Sequence, residues 1–191
     1  MKILIDIGHA NGTGARGHGY EEHALCAIVG QQLKKRLVKH GHSITVLDFP
    51  MLTNKEDLRR TISKANSTKG VTFGISLHMD AASNPKAKGG HVIYTSEKGK
   101  QIAKAIAAPL TGYMTGRANE TVDRDDLAVL NQTRAPWALL ELGFITSPED
   151  IKKLVDNPDT AKNELKPLLD ALEVGMLAAV ERAKSWNTKT E

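Results

Sequence analysis

Ile3-Leu4-Ile5-Asp6-Ile7-Gly8-His9 is the stretch on which the reading of the fold turns. A short apolar run, rich in β-branched residues and closed by a glycine, reads as a buried strand, and this one ends on an imidazole. Two later runs are built alike: Val71-Thr72-Phe73-Gly74-Ile75-Ser76-Leu77-His78 and Trp137-Ala138-Leu139-Leu140-Glu141. Helical stretches separate them, so the strands are expected to lie mostly parallel in one sheet. Parallel strands set their carboxyl ends along one edge, where open α/β sheets bind ligands. Residues 9, 78 and 141 are therefore expected in one cleft.

Working outward, residues 2–8 form the first strand, and 11–19, with four of the chain's 16 glycines, form a loop over the sheet edge. A helix from about Glu21 to Lys39 keeps Leu25, Ile28, Val29, Leu33 and Leu37 on one face, and Gly41 stops it. Ser43 to Leu47 is a second strand, and Lys55 to Ala65 a short polar helix. After the loop Asp80 to Gly90 comes a strand at His91 to Tyr94, then a helix from Gly99 to Leu110. Residues 111–125 are polar and irregular. Leu127 to Leu130 reads as a short strand beside the core strand at 137–142. Ser147-Pro148-Glu149-Asp150 starts a helix, with a capping serine, a first-turn proline and acids favoured by the helix dipole. A final helix over about 161–184 packs Leu165, Leu168, Leu169, Leu172 and Met176 onto the sheet. The expected fold is α/β, a three-layer α/β/α domain with a mostly parallel (mixed) central sheet of about five to six strands flanked by helices. It spans 1–184 as one domain, with a polar tail at 185–191.

The length of 191 residues supports one sizeable core. With 26 basic and 22 acidic residues the net charge is +4, which suits an acidic polymer without demanding nucleic acid. Only 4% of residues are aromatic, too few for a base-stacking platform. Cys26 stands alone, so an internal disulfide and a CxxC metal site are both excluded; it reads as a small buried hydrophobe. The first apolar stretch is too short for a signal peptide or membrane span and is broken by Asp6. Synthesis in the cytoplasm without a leader, and no stable membrane association, are the expectations. No P-loop follows the first strand, which speaks against a P-loop nucleotide-binding protein.

Glu22 lies thirteen residues after His9, near a helix start that can rest on the same sheet edge. With His9 and His78 it makes a two-His, one-carboxylate set, a common catalytic zinc shell that leaves a position open for water. Such a centre needs a second carboxylate as proton shuttle, and Glu141 is the candidate. Glu141 is expensive to bury unpaired; it either pairs with a structural arginine such as Arg134 or faces a functional site. His18 and His23 are available as substitute ligands. Asp80 either orients the His78 imidazole or caps its own loop. His40 and His42 flank the Gly41 turn and should be exposed, while His91 opens a strand that can line the cleft rim.

These pieces together resemble the zinc-dependent N-acetylmuramoyl-L-alanine amidases of the type-3 class. The matching segments are Ile5 to His9, the Glu22 helix start, Ser76-Leu77-His78-Met79-Asp80-Ala81, Gly89-Gly90, Leu127 to Thr133 and Pro136 to Thr146. The resemblance runs in order from residue 3 to about 155 and is most specific in the segment ending Glu-Leu-Gly-Phe-Ile-Thr. It implies Zn2+ on His9, Glu22 and His78, Glu141 as catalytic acid/base, and hydrolysis of the amide between N-acetylmuramic acid and L-alanine in peptidoglycan. Two departures stand out. Asp80 occupies a position where the family usually has Asn, and the 11–19 loop differs from the usual Gly-His-Gly-Gly opening, so Glu21 competes with Glu22. Glu22 preserves the spacing to Leu33 and Leu37. A wall substrate and no leader imply a phage or prophage endolysin released through a holin. The alternatives are a zinc carboxypeptidase, in which Arg117 or Arg124 grips a terminal carboxylate, and a non-catalytic wall-binding domain.

Overall fold

In the first strand, β1 (Lys2–Ile7), every residue after Lys2 is buried, as a strand covered on both faces requires. The protein, described by a computed structural model over residues 1–155 and 166–186, continues through β2 (Arg16–Gly17), β3 (Tyr20–Glu21), α1 (Glu22–Lys39), β4 (Ser43–Leu47) and α2 (Asn54–Ser67). There follow β5 (Phe73–Asp80), β6 (His91–Tyr94), α3 (Glu97–Tyr113), β7 (Thr121–Asp123) and α4 (Ala128–Asn131). The last elements are β8 (Trp137–Phe144), α5 (Pro148–Leu154) and α6 (Lys166–Lys184).

The central sheet has six strands in the order β4-β1-β5-β8-β6-β7. All neighbours run parallel except β6 and β8, so the sheet is mixed, as expected. Alternation along each strand sorts side chains to two faces. Ile3, Ile5, Ile7, Phe73, Ile75, Leu77, Ala138 and Leu140 pack with apolar residues of α1, α3 and α6. On the opposite face Leu4, Ile93, Trp137 and Leu139 pack with Ala65 of α2 and with Val129 and Leu130 of α4. The result is the three-layer arrangement read from the sequence. Within α1, however, Ile28 is 43% exposed rather than on the packed face. Cys26 is fully buried among apolar side chains.

Helix starts follow their capping chemistry. Thr53 and Glu56 form a reciprocal capping box at α2, and the Ser147 hydroxyl accepts from Asp150 N at α5. Three expectations need correction. Leu127 to Leu130 is not a strand: Leu127 is extended and Ala128–Asn131 turns into α4. Both edges of β8 are already paired, to β5 and β6, so no ladder is open beside it, and a four-residue apolar run carries no period to decide otherwise. The helix expected to end at Leu110 continues to Tyr113, with Pro109 inside it. The segment 111–125 also supplies an edge strand, Thr121–Asp123, parallel to β6. Residues 161–165 of the expected last helix, including Leu165, and 187–191 of the tail lie outside the described residues.

Candidate metal centre

Register brings the three strand ends together. Ile7 pairs with Leu77, and His78 with Glu141, so His9, His78 and Glu141 share the carboxyl edge of three adjacent strands. Gly8 N extends the ladder by donating to Leu77 O at 2.9 Å, and His9 then adopts a left-handed φ of 62°. A non-glycine residue held there stores strain. Gly8 is needed for a different reason: a Cβ at that position would overlap the His78 ring.

Glu22 reaches the same point from the first turn of α1 and is 2% exposed. Its Oε1 lies 3.1 Å from His78 Nδ1 and 3.4 Å from His9 Nε2. The backbone holds the carboxylate in place: Met79 N donates to Oε1 at 3.0 Å and Ala15 N to Oε2 at 2.8 Å. Asn54, at the start of α2, places its Oδ1 3.2 Å from His9 Nδ1, which turns Nε2 toward Glu22. The two imidazoles meet edge to face with centroids 5.0 Å apart.

One donor atom each from His9, Glu22 and His78 falls within 4.8 Å of the others. Two imidazoles and a carboxylate at that spacing, fixed by backbone N–H groups and an Asn side chain, suit a divalent ion of the zinc type. Burial works against the Glu22 anion, but hydrogen bonds from His78 and His9 outweigh it and hold the carboxyl far below its ordinary range. Burial likewise opposes a charged His78, yet the Glu22 hydrogen bond and the Glu141 charge raise its pKa.

Glu141 is half-buried, and its Oε2 is shielded from solvent without a hydrogen-bond partner. Among the described residues no ion pair joins it to Arg134, the structural partner that the sequence offered. Burial first, and Glu22 after it, push the carboxyl pKa up, against the lowering influence of His78. A carboxyl so poised can both accept and return a proton.

The remaining candidates fall elsewhere. Glu21 pairs with Arg16 at 2.6 Å. His18 is exposed, with Nε2 3.1 Å from Thr146 O, and His23 Nε2 lies 3.0 Å from Asp48 Oδ1. Asp80 does not orient His78. The ladder shifts register between the two residues, and the Asp80 carboxylate pairs with Arg117 and lies 3.6 Å from His91 Nε2. Arg117 also stacks over Phe144 at 4.6 Å, and Arg124 is bonded to Asp126, so neither arginine is free to grip a terminal carboxylate. His91 is buried rather than on a rim, and His40, though exposed, bonds Glu173.

Sequence reasoning passed over a buried acidic network beneath the centre. Thr61 Oγ1 donates to Asp6 Oδ1 at 2.8 Å, and Ser76 Oγ to Asp6 Oδ2 at 2.6 Å. Asp57 is buried nearby with its Oδ1 unpartnered. An aspartate inside the apolar first strand was the one available signal.

Comparison with known proteins adds the following. The profile of the N-acetylmuramoyl-L-alanine amidase family (Amidase_3) matches residues 3–166. The probable cell wall amidase LytH of Staphylococcus saprophyticus is 28% identical over 152 residues, covering 78% of this chain and 49% of that protein. The N-acetylmuramoyl-L-alanine amidase CwlM of Bacillus licheniformis is 28% identical over 165 residues, covering 81% and 60%. The chain thus spans about half the length of most of the curated relatives it matches. Among solved structures, the catalytic domain of the CD27L endolysin targeting Clostridia difficile superposes with a TM-score of 0.80 at 26% identity, covering 93% of this chain and 97% of that one. The CwlD amidase of Clostridioides difficile, solved with the GerS lipoprotein, reaches 0.82 at 18% identity, covering 95% and 98%, a likeness of fold.

Proposed function

Since the chain belongs to the N-acetylmuramoyl-L-alanine amidase family, we propose that it hydrolyses the amide between N-acetylmuramic acid and L-alanine in peptidoglycan, with zinc held by His9, Glu22 and His78 and with Glu141 as catalytic acid/base. The observation that carries this reading is the half-buried Glu141 carboxyl, whose Oε2 has no hydrogen-bond partner among the described residues, aligned in register with His78 beside three candidate ligands. A wall-binding domain has no use for that carboxyl.

Zinc bound there supplies Lewis acidity, polarising a carbonyl and lowering the pKa of water to about 7. The chain supplies orientation and proton transfer. Asn54 accepts from His9 Nδ1–H, so that Nε2 keeps its lone pair toward the centre. The two backbone donors on Glu22 hold it ionised in one rotamer. Glu141 takes the proton of the attacking water and returns it to the departing alanine nitrogen; its raised pKa makes it a stronger base for the first of these steps than an ordinary glutamate.

Action on peptidoglycan puts the working enzyme in the cell wall. Likeness to an endolysin catalytic domain favours a bacteriolytic role, with holin-assisted release as the route to the wall. Residues 1–184 act as one catalytic domain.

Digestion of purified peptidoglycan with zinc-loaded protein, with and without a chelator, tests the reading. New alanine amino termini without new reducing sugar ends, lost on chelation and restored by zinc, are expected. Peptidoglycan left intact by protein that still binds zinc would refute it.

A further inference from the structure

Next to the metal centre, on the face covered by α2 and α4, lies a cavity that the proposed proton transfers leave unused. Its volume is about 160 Å³, and His9 and His78 form one end of it. Asp6 and Asp57 line its acidic part, and Leu58 and Val129 its apolar part. The two carboxyls differ. Asp6 has both oxygens bonded, to Thr61 and Ser76. Asp57 is 4% exposed, and its Oδ1 has no hydrogen-bond partner. Buried polar atoms in folded proteins nearly always find partners, so a cavity-lining carboxyl with one oxygen left without a partner among the described residues is suited to a ligand's donor.

The donor has to sit on a small group with an apolar end, because Leu58 and Val129 also line the cavity. It also has to lie within a few bonds of the amide being cleaved, because the cavity shares His9 and His78 with the metal centre. In an N-acetylmuramoyl peptide the 2-acetamido group meets both conditions. It is attached to the sugar carbon adjacent to the one carrying the lactyl arm, and it bears one N–H and one methyl. The volume corresponds to roughly five waters at ~30 Å³ each, room for four heavy atoms. We propose that this cavity is the acetamido subsite, in which Asp57 accepts the acetamido N–H while the methyl rests on Leu58 and Val129. The proposal rests on the amidase reading and deepens it: it makes the acetylated sugar, and not only the peptide, a determinant of recognition.

The test is equilibrium binding by calorimetry to zinc-loaded Glu141→Ala protein, in which turnover is removed. One ligand is N-acetylmuramoyl-L-alanyl-D-isoglutamine; the other is its analogue with the acetamido N–H replaced by oxygen, which keeps the methyl and carbonyl and loses the donor. A hydrogen bond to a charged partner predicts that the ester binds on the order of tenfold more weakly. Adding Asp57→Leu abolishes the difference, and Asp57→Asn, which keeps a neutral acceptor, retains part of it. Ala128→Leu, which intrudes on the cavity wall, weakens both ligands together. Equal binding of the two ligands to the Asp57 protein overturns the proposal. So does undiminished discrimination by the Asp57→Leu protein, which would reassign the cavity to the alanine side of the substrate. Discrimination by a protein whose unaltered form leaves peptidoglycan intact would sink the amidase reading and leave the subsite standing.

Discussion

The two faces of the central sheet are buried by different means. Against α1, α3 and α6 the sheet meets a continuous apolar core in which Ile5, Ile75, Leu140, Ile102 and Leu172 are fully enclosed. Against α2 and α4 the apolar cluster is smaller, and Asp6, Ser76, Thr61, Asp57 and His91 are buried alongside it. Folding free energy argues for the first arrangement everywhere, since burying polar groups costs unless each is bonded. The second face accepts that cost where His9, His78 and Glu141 reach the sheet edge. One face holds the strands in register; the other uses that register to hold chemistry.

That division can be broken at either face. Glu141→Ala should have the largest effect, lowering turnover by roughly 10²–10⁴-fold with zinc still bound and the melting temperature little changed; near-normal turnover would remove Glu141 from its role. On the apolar face, Leu172→Ala should destabilise the fold by about 2–5 kcal/mol, while turnover per folded molecule stays at the parent level. A catalytic loss there as large as the Glu141 loss would mean that the faces are not separable.

Asp57 sharpens the comparison through pH. Its carboxyl pKa is pushed from 3.8 to about 6, by burial and then by the neighbouring Asp6. The folded state thus holds this proton more tightly than the unfolded chain, so the group's stability contribution is full below pH 4 and is lost as pH rises through 6. Asp57→Asn removes the ionisation cost and should stabilise the protein at neutral pH, by up to about 3 kcal/mol. The gain should vanish near pH 4 in denaturation series, and a gain that persists in acid would locate its origin elsewhere. The smallest effect is expected at Asn54→Ala, which removes the partner of His9 Nδ1 and should weaken zinc binding about 10–100-fold. Competition with a chelator reads this directly, and unchanged affinity would show that the strained His9 backbone alone aims the ring.

Much of this was legible in the chain. Strands buried on both faces read as unbroken apolar runs, so β1, β5 and β8 announce themselves, and their ends deliver His9, His78 and Glu141. Glu22 was legible as a first-turn acid whose helix keeps its spacing to Leu33 and Leu37. Other features were closed to sequence reasoning. Leu127 to Leu130 carries too few residues to show a period, and only the pairing of both β8 edges rules out a strand there. Thr121–Asp123 becomes a strand because β6 offers an edge, not because three residues prefer extension. Asp80 has equally good local reasons to face His78 or Arg117, and the register shift in β5 decides between them.

The sequence by itself therefore determined the layers, the edge and which side chains gather there, because strand and helix periodicity and the cost of burying an acid are properties of neighbours along the chain. Tertiary structure alone decided which buried polar groups are satisfied. Asp6 finds Thr61 and Ser76 from α2 and β5, and Asp57, one turn before Thr61, leaves its Oδ1 without a partner among the described residues. Hydrogen bonds reach only about 3 Å, so whether a buried carboxyl has a donor depends on the docking of segments far apart in sequence.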